Sequence, residues 1–208
     1  MDHWTHSLTW GLLGAMTGAV GNRSTRMLAA SSDDIGLYST WTGALATSIL
    51  FGALAWRTPS TENLVLVSCL VVVAIPLAVI DMVEMRLPPP LLAAGYLGVG
   101  TCAVTVAVTR GEGSDLGRAA LGCAVMTLVY LGLALCTGGL GSGDVKLGGL
   151  LGMTSAWMGW PVLVASTILG WVMLLLVFRL GAVERGEEVP AGPGLLAGTL
   201  IAVLGSGG

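Results

Sequence analysis

Apolar residues in this chain come in long runs, broken by short polar or glycine- and proline-rich stretches. They do not alternate with polar residues, so the runs predict helices rather than strands. Eight helical spans are expected, over residues 7–20, 41–56, 64–82, 91–109, 116–136, 144–157, 161–180 and 194–204. Several approach the roughly 20 residues that a helix needs to cross a bilayer. The first, sixth and last are short and are expected to tilt or to use their polar flanks. Trp41, Trp56, Trp157 and Trp160 fall near span ends, as interfacial tryptophans do. Trp171 falls mid-span, where packing is the simpler role. Gly14-x-x-x-Gly18 and Gly148-x-x-x-Gly152 fit close helix–helix approach.

Composition agrees with that pattern. Of 208 residues, 54% are hydrophobic and only 10% charged, too few charges to cover a soluble domain of this length. The expected architecture is an all-α, polytopic membrane bundle of about eight transmembrane helices, with residues 1–208 as one integral membrane domain. The formal net charge of −3 excludes a generally basic nucleic-acid binder. The N-terminus has no basic n-region and does not read as a cleaved signal peptide. Cys69, Cys102, Cys123 and Cys136 lie inside apolar runs and form no CxxC pair, so they read as small core residues. His3 and His6 share a helix face, but two ligands do not make a metal site. No metal and no cofactor is expected.

Lysines and arginines give an orientation. With the N-terminus outside, the inner side holds Arg23, Arg26, Arg86, Lys146, Arg179 and Arg185, against Arg57, Arg110 and Arg118 outside. The same count puts Asp81 and Asp144 on the inner, cytoplasmic side. The inner loops are expected over 21–38, with Asp33-Asp34; over 83–90, where Pro88-Pro89-Pro90 makes a rigid extended break; over 137–143; and over 181–193. Asp33-Asp34 and Glu187-Glu188 read as solvated loop charges. A further idea is that inner-loop acids such as Glu84 attract a basic segment of a substrate.

Asp81 and Asp144 carry the candidate chemistry. A carboxylate near a membrane boundary is costly and needs a reason to be there. Each also has a bland reading: Asp144 as a helix N-cap, Asp81 as an interfacial polar residue. Brought together, two carboxylates cannot easily both ionise, so the pair shares a proton. One member can then activate water as general base while the other protonates or polarises a carbonyl. Gly141 and Gly143 beside Asp144 allow close approach of a substrate strand. Lys146 is two residues past Asp144, so the two side chains point apart on a helix. Lys146 is therefore expected at headgroup level or on substrate.

The motifs around these acids resemble those of the type IV prepilin peptidases, also called prepilin leader peptidases, which are GxGD-type membrane aspartic peptidases. Gly141-Ser142-Gly143-Asp144-Val145-Lys146-Leu147 is similar to the family's GxGD-x-K-L motif. Asp81 through Leu87-Pro88 resembles its first motif, an aspartate followed after a few residues by an aliphatic residue and proline. Pro190-Ala191-Gly192-Pro193 resembles the proline–x–glycine–proline stretch before the family's last helix. The resemblance covers residues 41–204 well. It implies a hydrolase with Asp81 and Asp144 as the catalytic pair, and with Gly141, Gly143, Lys146 and Pro88 supporting the motifs. It further implies that the N-terminal leader of a type IV pilin-like precursor is cut at the cytoplasmic membrane face, serving pili, DNA uptake or protein secretion. Partners would be that precursor and the lipid bilayer, with no nucleic acid. Pro89 stands where the family usually has Asp or Asn, which implies a stiffer loop. Long members carry a cysteine-containing cytoplasmic insertion associated with N-methylation. A short stretch at 29–38 without cysteine takes its place here, so cleavage without methyl transfer is expected. The rival reading is a transporter or pilin-assembly scaffold, with the acids as a proton relay or structural groups. A relay would place acids nearer mid-span, often with histidine partners.

Overall fold

The computed structural model describes residues 3–28, 40–111, 113–179 and 190–207. They form eight α-helices: α1 His3–Leu28, α2 Thr40–Arg57, α3 Thr61–Glu84, α4 Pro89–Arg110, α5 Ser114–Thr137, α6 Ser142–Met158, α7 Trp160–Arg179 and α8 Ala191–Gly205. No strand occurs among the described residues. The architecture is an all-α membrane helical bundle. By length and composition, α3, α4 and α5 are each able to cross a membrane.

Helix α3 is the hub. It packs against α1, α2, α4, α6 and α8. Its Leu64, Leu66, Val67, Leu70, Val71, Leu77 and Ile80 are completely buried. Around it sit three tight hairpins, α1–α2, α5–α6 and α7–α8. The outer helices turn large apolar residues outward, such as Leu12 and Met16 on α1, Leu128 and Leu135 on α5, and Ile168 and Leu175 on α7. In a bilayer that exposure is favourable, because lipid tails solvate it.

Helices α6 and α8 have 17 and 15 residues, too short to span alone, as the sequence indicates. Their neighbours explain why this is tolerated. Most of both helices is buried in protein, not lipid. Helix α1, by contrast, has 26 residues and runs on through Gly21 to Leu28, part of the stretch expected as loop. Its added turns are polar, but they contain no proline to stop the helix. Asp33-Asp34, Arg185, Glu187 and Glu188 lie outside the described residues, as does the cysteine-free stretch.

Small residues make the hairpins. A methyl group on Gly14 or Gly18 would run into Thr47, Phe51 and the Gly43 carbonyl of α2. One on Gly148 would strike the Tyr130 ring, and one on Gly152 would stand 2.5 Å from the Gly122 carbonyl oxygen. Gly198 of α8 rests on the backbone of Gly170 of α7. Without a strong hydrophobic drive between helices in lipid, such close backbone packing supplies much of the association.

The end of the bundle away from Asp81 and Asp144 is closed by polar side chains that complete helix ends. Arg118 of α5 donates from Nε to Ala156 O and from Nη2 to Trp157 O, both at 2.6 Å, and is paired with Asp115 at 3.0 Å. It thereby satisfies carbonyls in the last turn of α6. Arg57 of α2 does the same for α8 through Leu204 O, at 3.1 Å. Arg110 pairs with Glu62. Trp41, Trp56 and Trp160 are exposed at helix ends, as expected. Trp157 is not: it is 4% exposed and donates its indole N–H to Asn63 Oδ1 at 3.0 Å. A polar partner on α3 lets it sit inside rather than in an interfacial belt. Trp171 packs internally on Tyr130, with ring centroids 6.1 Å apart and planes 19° from parallel. The four cysteines are free thiols. Cys69, Cys102 and Cys123 are partly buried, but Cys136 is exposed, not in the core. The outside of a membrane helix is as apolar as the inside, so an apolar run alone does not place a residue.

Gly152→Ala is expected to lower stability by about 1–3 kcal/mol, since the new methyl meets the Gly122 carbonyl as well as the base of the Met126 side chain. Gly132, with open space around it, serves as control. Gly132→Ala is expected to be neutral or to stabilise by up to ~1 kcal/mol. Thermal unfolding of the detergent-solubilised protein, followed by circular dichroism, checks both.

Candidate active site

Asp81 lies in the last turn of α3 and is only 5% exposed. The helix stops just beyond it. Met85 turns into the left-handed region at φ 51°, and its N–H bonds back to Asp81 O at 3.0 Å. The break is shorter than the proline run suggests. Pro89 and Pro90 are the first two residues of α4, and Pro88 is its N-cap at φ −61°. Prolines fit a first helical turn, where the N–H would have no partner anyway. They therefore begin a helix here instead of forming an extended segment. Pro88 is buried, beside the buried Leu87.

Asp144 is the third residue of α6, with Gly141 as N-cap. Its Oδ2 accepts the Gly141 backbone N–H at 3.0 Å. This is the reaching-back half of a capping box; Gly141 has no side chain to supply the other half. Asp144 thus does cap its helix, though from inside the first turn.

The two acids meet at two cavities. One, of about 380 Å³, is lined by Asp81, Met85, Gly138 to Gly141, Asp144, Pro190 and Ala191. The other, of about 230 Å³, is lined by Asp81, Met85, Arg86, Leu87, Gly141 to Gly143 and Asp144. The carboxylates stand between a chamber toward α8 and a chamber toward the α3–α4 turn. Lys146 is exposed and lines neither; its carbonyl accepts the Tyr96 hydroxyl at 2.7 Å. That bond ties the N-terminal part of α6 to α4.

The motif glycines divide. A methyl on Gly143 would stand 2.9 Å from Leu87 Cβ, so the two motifs touch through Gly143. Gly141 has ordinary extended angles, φ −75° and ψ 160°, and room for a methyl. Glu84, offered above as an acid that draws basic substrate, has a side chain only 7% exposed and paired with Arg86. Packed beneath its own arginine, it presents little free charge.

The least expected partner is α8. Gly192, in its first turn, donates its N–H to Asp81 Oδ2 at 2.9 Å. A methyl at Gly192 would sit 2.7 Å from that same oxygen. Pro190 is the N-cap and Pro193 follows in the first turn, and neither has an N–H to give. The positive end of the α8 dipole also faces the carboxylate. The signal in sequence was the glycine between two prolines at the head of an apolar run. Nothing in it said which group the glycine would face.

Three proteins similar to this chain bear the name prepilin leader peptidase/N-methyltransferase. Those from Pseudomonas aeruginosa and Stutzerimonas stutzeri are each 30% identical over 166 residues, which is 77% of this chain and 56% of each relative. The one from Legionella pneumophila is 29% identical over 182 residues, 81% of this chain and 54% of the relative. By sequence, the chain is similar to the prepilin leader peptidases. It spans about half the length of the curated relatives it matches. No protein-family model matches this chain, nor does any solved structure at a significant level.

Asp81→Ala is expected to destabilise the fold by about 1–3 kcal/mol, because it leaves the buried Gly192 N–H without an acceptor. Asp81→Asn keeps an acceptor and is expected to recover most of that loss. Parallel melting curves of the two variants measure it.

Proposed function

We propose that this protein is a membrane-embedded aspartic endopeptidase that removes the N-terminal leader from type IV pilin-like precursors. The observation that supports this best is the position of Asp81 and Asp144. They come from two separate helices, at one end of the bundle, and line the same two cavities. The relatives' name supports the peptidase assignment and the precursor as substrate.

In the proposed reaction, one carboxylate takes a proton from water, which attacks the scissile carbonyl carbon. The other, protonated, gives its proton to the carbonyl oxygen. Collapse of the tetrahedral intermediate breaks the C–N bond, and the amine leaves with a proton returned by the pair. No covalent intermediate is required. Gly192 and Gly141 each hold one carboxylate oxygen, so the second oxygen of each acid is left for water and substrate. The substrate's apolar helix lies in lipid and its leader in the cytoplasm, at the inner face of the cytoplasmic membrane. Gly141, Gly143 and Pro88 shape the two motif turns, and Lys146 faces headgroups. With four scattered cysteines and no CxxC, we assign the chain the cleavage half of the relatives' name only.

Co-expression with a pilin precursor tests this. Wild type is expected to process it, and Asp81→Ala and Asp144→Ala to lose processing at least 100-fold by immunoblot. Equal processing by all three would sink the assignment. Gly192→Ala, which pushes on Asp81 while keeping both acids, is expected to lower processing roughly tenfold or more, in line with the cost of small misplacements of catalytic groups.

A further inference from the structure

Asp81 and Asp144 come from different helices, and among the described residues no hydrogen bond joins their carboxylates. Each is tied to a backbone amide instead, Asp81 to Gly192 at the head of α8 and Asp144 to Gly141 at the head of α6. When both acids are ionised they repel each other. Close packing of the helices draws the same two heads together. The separation of the acids is therefore set by what fills the space between the heads.

Leu87 fills it. It comes from the short turn between α3 and α4, after Met85 has reversed the chain and directly before the Pro88 N-cap. The proline after it disfavours helical angles at Leu87, which stiffens the turn. Leu87 is 8% exposed, and it lines the smaller chamber together with both acids. A methyl placed on Gly143 would stand 2.9 Å from Leu87 Cβ and 3.3 Å from its Cδ1. A methyl placed on Gly192 would stand 3.4 Å from Leu87 Cδ2. The two end methyls thus lie against two different glycines. Gly143 directly precedes Asp144, and Gly192 is the donor to Asp81. One branch of the fork touches the neighbour of one acid, and the other branch touches the anchor of the second.

We propose that Leu87 is a positioning residue: its forked side chain is the spacer that sets the distance between Asp81 and Asp144. The kinetic consequence rests on the peptidase reading above, whereas the spacing can be measured without activity. Leu87 moves no proton and acts only by keeping the head of α6 from closing on the head of α8. Its shape matters as much as its bulk. Methionine has a similar volume, and such swaps are tolerated by packed cores. It is unbranched, however, and ends in one methyl, so it presses on one glycine at a time. Alanine loses both branches, and the surroundings refill such a gap only in part. A misplacement of about 1 Å at reacting groups costs roughly 100-fold in rate.

The test takes the full-length protein in detergent, with a pilin-like precursor as substrate, and measures kcat, KM and melting temperature. Leu87→Met is expected to melt within about 5 °C of wild type, yet to lose about 5-fold or more in kcat with KM changed less than about 3-fold. Leu87→Ala is expected to lose about 30-fold or more in kcat. Adding Gly143→Ala to Leu87→Ala sets a methyl against the remaining Cβ and props the heads apart again, and about 3-fold or more of the lost kcat is expected to return. The activity-independent arm places nitroxide labels at Met85→Cys and Gly141→Cys, on the α3 and α6 sides of the chambers, with the four native cysteines changed to alanine. Their dipolar spectrum is expected to show one narrow separation with Leu87, and a shorter, broader one in Leu87→Ala. Wild-type kcat in either Leu87 variant, or an unchanged label separation in Leu87→Ala, overturns the spacer and leaves the peptidase reading standing. A wild type that leaves the precursor uncut overturns the peptidase reading, and the label separation then decides the spacer alone.

Discussion

A single hydrogen bond organises the working end of this molecule: the N–H of Gly192 to the buried carboxylate of Asp81. A carboxylate that is 5% exposed needs a strong donor, because burying an unpaired charge or polar group is expensive. The donor comes from the first turn of α8, which must then end directly against α3. That contact sets the rest. Gly192 must lack a side chain, α8 must begin beside Asp81, and Leu87 must fold under the same glycine. The α5–α6 hairpin then brings Asp144 to the remaining side. Three motifs far apart in sequence are in contact because one amide and one acid have to meet.

The opposite end answers a similar need with arginine. Arg118 and Arg57 reach to the last carbonyls of α6 and α8, the two shortest of the described helices. The bundle is thus pinned at both ends. Stiff scaffolding of this kind suits a site in which two acids from different helices must hold a fixed relation.

Much of this was legible in the sequence. Long apolar runs and their breaks gave all eight helices, because 3.6-residue periodicity hardly matters when both faces are apolar and length alone speaks. The acids stood out because charge is rare in such a chain. What stayed hidden depended on partners. The identical word "tryptophan near a helix end" describes exposed Trp160 and buried Trp157, and only Asn63 on another helix separates them. The three consecutive prolines read as a break, yet two of them open α4. Gly141 and Gly143 look equivalent in the motif, but only Gly143 is pressed against Leu87. Glu84 looked like a free acid until Arg86 was seen beside it.

The shortness of α6 has a consequence for depth. Seventeen residues at 1.5 Å each reach about 25 Å, roughly 5 Å less than the hydrocarbon core. With its far end fastened by Arg118, the missing length falls at the end that carries Asp144. The carboxylate at the head of α6 is therefore recessed relative to the end of its 24-residue hairpin partner α5, and the loop over 138–141 steps down to it.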